Sequence, residues 1–277
     1  MCLLIKTHLK IEKTCGISAR YVEVSVSPLF YMYKFGIIAK YWNEELLLPL
    51  FLESIEKLHA DKIYLCNDGS TDTSEQICQE FSKCNHNTTL IQFESPKSNY
   101  FQETEAESTK INRVLRHAYE SGIDWVLCID IDEIPSRFME EFILTELRHT
   151  PPTSGIYFPI CDLISNIDTF IVFNSTTNFS HYPSPHLKIF GKLSGYKRTV
   201  DGLNLDQGVE GGHQYLMTSA PYLHLKYLFD NRRNIRGTFA TSPTNIDRSM
   251  IGKLPEQAIP PQLIKWWNSW AEPTVTW

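Results

Sequence analysis

Short apolar runs of strand length alternate with amphipathic helical stretches through the first half of the chain. Apolar side chains recur at helical spacing after Asn43, which predicts an amphipathic helix with Asn43 as its N-cap. The predicted strands cover 35–39, 62–66, 89–93 and 125–129, and the predicted helices cover 43–59, 74–83, 108–119 and 135–148. Strands that alternate with helices in this way predict a parallel sheet with right-handed crossovers.

The pattern changes after Pro151, where short strand-like runs are separated by Asn, Ser, Gly and Pro. These runs cover 155–160, 169–173, 186–190 and 222–225, and helical periodicity returns only over 230–240. The second half is therefore predicted to be mixed, with antiparallel strands, and to pack against the first half. Residues 1–33 have no clear period apart from a strand-like run at 21–26.

The predicted organisation is an N-terminal extension (1–33), one α/β domain (34–245) and a C-terminal tail (246–277). Within the domain, 34–135 form the first half and 136–245 the second. The tail carries several tryptophans among prolines, a pattern that favours packing over a sugar platform.

The composition argues against several classes of protein. Of the 277 residues, 42% are hydrophobic and 21% charged, which is typical of a globular protein. A net charge of −6 argues against nucleic-acid binding, because a protein that binds nucleic acid normally has a basic face. The seven cysteines are odd in number and contain no Cys-x-x-Cys pair, so a reducing compartment is predicted and a structural zinc site is not. No apolar run is long enough for a membrane span. The expected location is the cytoplasm, with peripheral contact at the cytoplasmic membrane surface left open.

Acidic residues end the fourth predicted strand. Asp130, Asp132 and Glu133 follow the apolar run 125–129 directly, at the edge where open α/β sheets bind ligands. Alternation along an extended chain places Asp130 and Asp132 on the same side, where two carboxylates can hold a divalent cation and, through it, a diphosphate. The alternative is an acidic turn that closes the strand, with Pro135 starting the next helix.

Three motifs in order resemble the GT-A glycosyltransferases, specifically the family 2-like group. Asn43-Glu44 follows the first strand, Asn67-Asp68-Gly69-Ser70-Thr71-Asp72 follows the second, and Trp125 precedes Asp130-Ile131-Asp132-Glu133. The last motif is similar to that of a subgroup with the pattern Trp-x-x-x-x-Asp-x-Asp-Glu. The resemblance covers about 34–240 and implies a GT-A fold, with a mixed, mainly parallel sheet flanked by helices.

The resemblance also implies a nucleotide site in the first half. Asp68 would accept the imide N–H of the base, and the alternative is a turn-forming Asp. Ala39, Tyr41 and Glu44 would border the nucleoside, with Tyr41 stacking on the base or belonging to the core. Lys110 would lie near the donor, and the alternative is a solvated helix face.

The implied metal site uses Asp130 and Asp132. Asp130 would contact the ribose or sugar as well, and Asp132 would coordinate Mn²⁺ or Mg²⁺ between the two phosphates. A histidine would complete the site, His224 first and His213 second. Imidazole suits Mn²⁺ better than Mg²⁺. Taken alone, a histidine after an apolar run is usually a core residue whose hydrogen bonds are satisfied within the protein.

The implied reaction belongs to glycan biosynthesis: transfer of a sugar from a nucleotide-diphosphate sugar to an acceptor hydroxyl, with inversion. The acceptor would be a glycan, a lipid-linked molecule or a protein. The base that deprotonates the acceptor would be Glu210 or Asp206, with Asp162 as a third candidate. Two rivals stay open: a haloacid-dehalogenase-like phosphatase with Asp130 as nucleophile, and an inactive, glycan-binding module of the same fold.

Overall fold

The computed structural model describes residues 32–94, 107–164, 166–171, 186–199, 208–210, 215–228 and 251–270. All of them belong to one compact unit that begins at Tyr31. The predicted strand at 21–26 and the predicted helix at 230–240 lie outside the described residues.

Strands and helices alternate regularly up to α4, and strands predominate afterwards. In chain order the elements are β1 (Phe35–Tyr41), α1 (Leu48–Glu56), β2 (Lys62–Asn67), α2 (Ser74–Cys84), β3 (Thr88–Gln92), α3 (Glu107–Glu120), β4 (Trp125–Asp130), β5 (Glu133–Pro135), α4 (Arg137–Thr145), β6 (Gly155–Phe158), β7 (Ile160–Ile164), β8 (Asn166–Ile171), β9 (His186–Gly191), β10 (Lys197–Thr199), β11 (Gly208–Glu210), β12 (Tyr215–Met217), β13 (Tyr222–Tyr227), β14 (Ile251–Lys253) and α5 (Pro261–Trp270). Single 3₁₀ turns cover Leu147–His149 and Glu256–Ala258.

The central sheet runs in the order β12-β6-β9-β4-β1-β2-β3. The four strands of the alternating half are all parallel, and β9 enters antiparallel between β4 and β6. The predicted mixed, mainly parallel α/β sheet is therefore confirmed. β1 and β4 are continuous apolar runs because helices or loops cover both of their faces. Ile37 packs in the core on one side of the sheet and Ile38 in the core on the other.

A second sheet, in the order β14-β8-β7-β13-β5, carries the end of the acidic motif. β13 lies between β7, to which it is parallel, and β5, to which it is antiparallel. Its His224 is the register partner of Asp162 on one side and of Glu133 on the other. Because register partners on neighbouring strands project from the same face, these three side chains form a row across the sheet.

Two predicted helix starts are wrong. Asn43 has a φ of 53° and its side-chain oxygen accepts the Thr71 N–H at 2.8 Å, so it ties two loops together and does not cap α1. Pro135 belongs to β5, which pairs with β13, and the helix begins only after Ser136. In both places a partner distant in the chain outweighs the local helix signal.

Part of the predicted C-terminal tail packs on the core. α5 lies against α1, with Leu263 fully buried. Gln262 accepts a hydrogen bond from Lys57 at 2.6 Å and donates one to Glu140 at 3.2 Å. Among the described helices, none has the length and apolar character needed to cross a membrane.

Candidate active site

The acidic motif lies where β4 ends, between the two sheets. Asp130 is the last residue of β4 and is half-buried, in register with Lys40 of β1. Asp132 follows in the turn before β5 and is only 3% exposed. The two aspartates therefore lie at the carboxyl edge of the parallel strands, where the sequence places them.

His224 is held between two carboxylates. Its Nδ1 lies 2.5 Å from Asp162 Oδ1, and its Nε2 lies 3.3 Å from Asp132 Oδ2. Burial acts to lower the pKa of His224, but Asp132 and Asp162 outweigh it and raise the pKa to about 9. The imidazolium thus supplies positive charge next to Asp132 in the metal-free protein.

Glu133 anchors the backbone of the motif. Its carboxylate lies 2.6 and 2.7 Å from Lys188 Nζ of β9, and it accepts the Asp130 N–H at 3.0 Å. The ammonium also lies 4.8 Å from the centre of the Tyr222 ring. Burial raises the pKa of the Glu133 carboxyl, and Lys188 opposes that shift. The Glu133–Lys188 pair joins the two sheets and fixes the turn that carries Asp130.

A second charge network surrounds Asp68, at the end of β2. Asp68 is fully buried, 2.7 Å from Lys110 Nζ and 3.9 Å from Lys40 Nζ. Lys40 also pairs with Glu107 at the start of α3. Burial acts to lower the pKa of Lys40, but Glu107, Asp130 and Asp68 together raise it above its usual value. Lys40 therefore carries a charge that links the Asp68 region to the acidic motif.

The site fits a divalent cation that takes only part of its ligands from the protein. Within the described ranges, no three His, Cys, Asp or Glu side chains form a closed metal cage. Asp132 and the His224 Nε2 offer one carboxylate and one imidazole side by side, a donor pair that suits Mn²⁺. A cation bound by few protein ligands and completed by substrate phosphates is the usual arrangement for Mg²⁺ in phosphate sites.

The residues predicted to border the nucleotide are buried, and their contacts could not be read from the sequence. Ala39 and Tyr41 are buried in the core at the end of β1, so the ring of Tyr41 packs and does not present a free stacking face. The Tyr41 carbonyl accepts the Asp68 N–H at 2.9 Å, which joins the two strand ends. Glu44 is buried and its N–H donates to Ser74 Oγ at 2.8 Å. Lys110 is fully buried, so a solvated helix face is wrong for it.

Of the three candidate bases, only Asp162 has a described side chain. Glu210 ends β11, which pairs with β10 in a two-stranded ribbon, and only its backbone is described. Asp206 and His213 lie outside the described residues. Asp162, the third candidate, faces His224.

Sequence reasoning missed Lys40 and Glu107. A signal for Lys40 exists, because a lysine inside the apolar run of β1 requires a buried carboxylate as its partner. The identity of that partner, Glu107 on α3, is not encoded locally.

A comparison with known protein families finds a match over part of the chain. The sequence model described as "Glycosyl transferase family 2" matches residues 37–152, from β1 to the loop before β6. No curated protein matches the chain.

Solved structures match at low identity. They include TarS from S. aureus (16% identity, 69% of this chain, 36% of that chain, TM-score 0.46). The mannosyltransferase PcManGT from Pyrobaculum calidifontis, in complex with GDP-Man and Mn²⁺, matches at 17% identity over 48% of this chain and 36% of that chain, with a TM-score of 0.36. Glucosyl-3-phosphoglycerate synthase from Mycobacterium tuberculosis, in complex with Mn²⁺, UDP and glucosyl-3-phosphoglycerate, matches at 19% identity over 48% of this chain and 44% of that chain, with a TM-score of 0.31. The matched region spans less than half of each of these three solved chains.

Proposed function

We propose that the chain is a metal-dependent, inverting glycosyltransferase, and the match of residues 37–152 to the glycosyl transferase family 2 model supports this proposal. Its donor is a nucleotide-diphosphate sugar and its acceptor a hydroxyl group. The observation that carries the proposal is the pairing of Asp132 with His224 Nε2 at 3.3 Å, beside Asp130 at the end of β4.

Each part of the site has a task in this reaction. Asp132 and His224 hold Mn²⁺ or Mg²⁺, with Asp130 beside them contacting the ribose or sugar. When bound, the cation would supply the charge that neutralises the diphosphate leaving group, so the protein needs no acid to protonate it. Asp68 is the proposed acceptor of the imide N–H of the base, and Lys110 Nζ, 2.7 Å away, fixes the position of its carboxylate.

The acceptor side requires a carboxylate that removes the hydroxyl proton opposite the leaving diphosphate. Glu210 and Asp206 are the candidates, since Asp162 is engaged by His224. If either is the base, its replacement by the matching amide lowers the turnover number and leaves donor binding unchanged, because the base touches only the acceptor.

The decisive test is binding of UDP, GDP and their sugar derivatives with and without Mn²⁺, measured by calorimetry and thermal shift. A ligand at 100 times its Kd stabilises the folded state by about 2.7 kcal/mol. For a chain of this size that raises the Tm by roughly 5–10 °C. Asp132→Asn should abolish the Mn²⁺ dependence. The matched control is Asp168→Asn, which removes a carboxylate of the same sheet that pairs with Lys253 at 3.5 Å.

Other outcomes identify the rivals. Absence of Mn²⁺-dependent binding across the whole panel contradicts the proposal. Mg²⁺-dependent hydrolysis of p-nitrophenyl phosphate that is lost in Asp130→Asn identifies a phosphatase. Binding without transfer or donor hydrolysis identifies a binding module. For an active enzyme, NMR of the product reports inversion through the configuration at the anomeric carbon.

A further inference from the structure

We propose that Asp162 is a positioning residue that fixes His224 as a metal ligand, with Nδ1 protonated and Nε2 directed at Asp132 and the cation. The inference extends the proposed metal-dependent transfer and presupposes its metal site. It gives Asp162 a role that neither the acidic motif nor the family match assigns.

Strand register brings the two residues together. β7 and β13 are parallel neighbours, and Asp162 is the register partner of His224. The two side chains leave the sheet on the same face, so the backbone register places them next to each other. Nδ1 lies 2.5 Å from Asp162 Oδ1, within hydrogen-bond reach, and a hydrogen bond from a histidine to a carboxylate is charge-assisted.

The hydrogen bond decides which ring nitrogen is available. A carboxylate only accepts hydrogen bonds, so Nδ1 carries the proton that it donates to Asp162. Nε2 lies 3.3 Å from Asp132 Oδ2. In the metal-free imidazolium Nε2 also carries a proton, which it would release on binding a cation, while Nδ1 keeps its proton on Asp162. A metal-bound histidine commonly donates its second N–H to a carboxylate, which fixes the ring and increases the basicity of the ligating nitrogen. Asp162 and His224, with Asp132 beside Nε2, have this arrangement.

Burial supports a positioning role over a role as base. The side chains of Asp162 and His224 are only 10% and 15% exposed. A general base must come within hydrogen-bond reach of the hydroxyl it deprotonates. The Asp162 oxygen that is in contact with Nδ1 is already committed to His224.

The test compares the wild type with Asp162→Asn, Asp162→Ala, His224→Ala and the control Asp168→Asn. The Mn²⁺ dissociation constant is measured from the EPR signal of free Mn²⁺, in the presence of UDP or GDP. Loss of the carboxylate partner of a metal-bound histidine weakens metal binding by about 10–100-fold. We expect this loss in both Asp162 variants and a dissociation constant within twofold of wild type in Asp168→Asn. Circular dichroism is used to check that each variant is folded.

A metal-free readout separates this inference from the proposed function. The proton of a short Nδ1–H···O hydrogen bond gives a strongly downfield ¹H resonance, assigned here by its absence in His224→Ala. We expect that resonance in the wild type and in Asp168→Asn, and its loss in both Asp162 variants.

Two results overturn the inference: a wild-type spectrum without the resonance, or an Asp162→Asn variant that binds Mn²⁺ as tightly as wild type. If the resonance behaves as expected but wild type binds no Mn²⁺ with either nucleotide, the proposed metal dependence fails. The orientation of His224 by Asp162 is then still supported.

Discussion

Replacing Lys188 by methionine removes the cation that compensates the buried Glu133 carboxylate. The two side chains are 6% and 5% exposed and their charged atoms lie 2.6 Å apart, so water screens the pair little. Removing one partner of such a pair costs about 3–5 kcal/mol, because the other charge stays buried without compensation. Methionine keeps most of the volume, so little of the cost comes from a cavity. At about 2–4 °C per kcal/mol, the Tm should fall by roughly 6–20 °C.

The assay is urea denaturation followed by circular dichroism, with thermal unfolding as a second measure. Lys253→Met is the matched control, because Lys253 is 78% exposed and lies 3.5 Å from Asp168. A surface pair of this kind contributes about 0–1 kcal/mol. In a double-mutant cycle, adding Glu133→Gln to Lys188→Met should restore much of the stability, since no buried charge remains.

The pH dependence of Lys188→Met has a definite sign. Burial already raises the pKa of Glu133, and loss of Lys188 raises it further. A carboxyl whose folded pKa lies above its unfolded pKa stabilises the fold at low pH and loses that contribution as pH rises through the folded pKa. The destabilisation relative to wild type should therefore be smallest in acid and grow toward neutral pH. A cost equal to that of Lys253→Met, or strict additivity in the cycle, would refute the reasoning.

Two further predictions concern capping and pH. Ser136 caps α4 by accepting the Met139 N–H at 3.2 Å. Ser136→Ala should therefore cost about 1 kcal/mol in urea unfolding, and an unchanged unfolding free energy would contradict the capping role. In the absence of metal, Asp132 and Asp162 overcome the effect of burial and raise the pKa of His224 to about 9. The stability that His224 contributes should be complete below about pH 6.5 and lost as pH rises to about 9. The free energy of unfolding, measured in EDTA, should therefore fall with pH over this range in wild type and not in His224→Gln. The same slope in both proteins would exclude His224 as its source.

The alternating half of the fold was predictable because its signals are local. The continuous apolar runs of β1 and β4 identify strands buried on both faces, wherever those strands lie in the sheet. Once they are parallel, their carboxyl ends meet at one edge, so Asp68, Asp130 and Asp132 could be placed there from the sequence. The boundaries shifted where a distant partner intervened, as at Asn43 and Pro135.

The chain by itself determined the order of strands and helices from β1 to β4 and the acidic residues that end β2 and β4, since each depends on a few neighbouring residues. Only the tertiary structure decided their partners. Asp162 and His224 are 62 positions apart, and Glu133 and Lys188 are 55 apart. They meet because of the register between β7 and β13 and the contact between two sheets, and no local periodicity encodes either. A buried charge in the sequence indicates that a partner must exist, but packing selects which one it is.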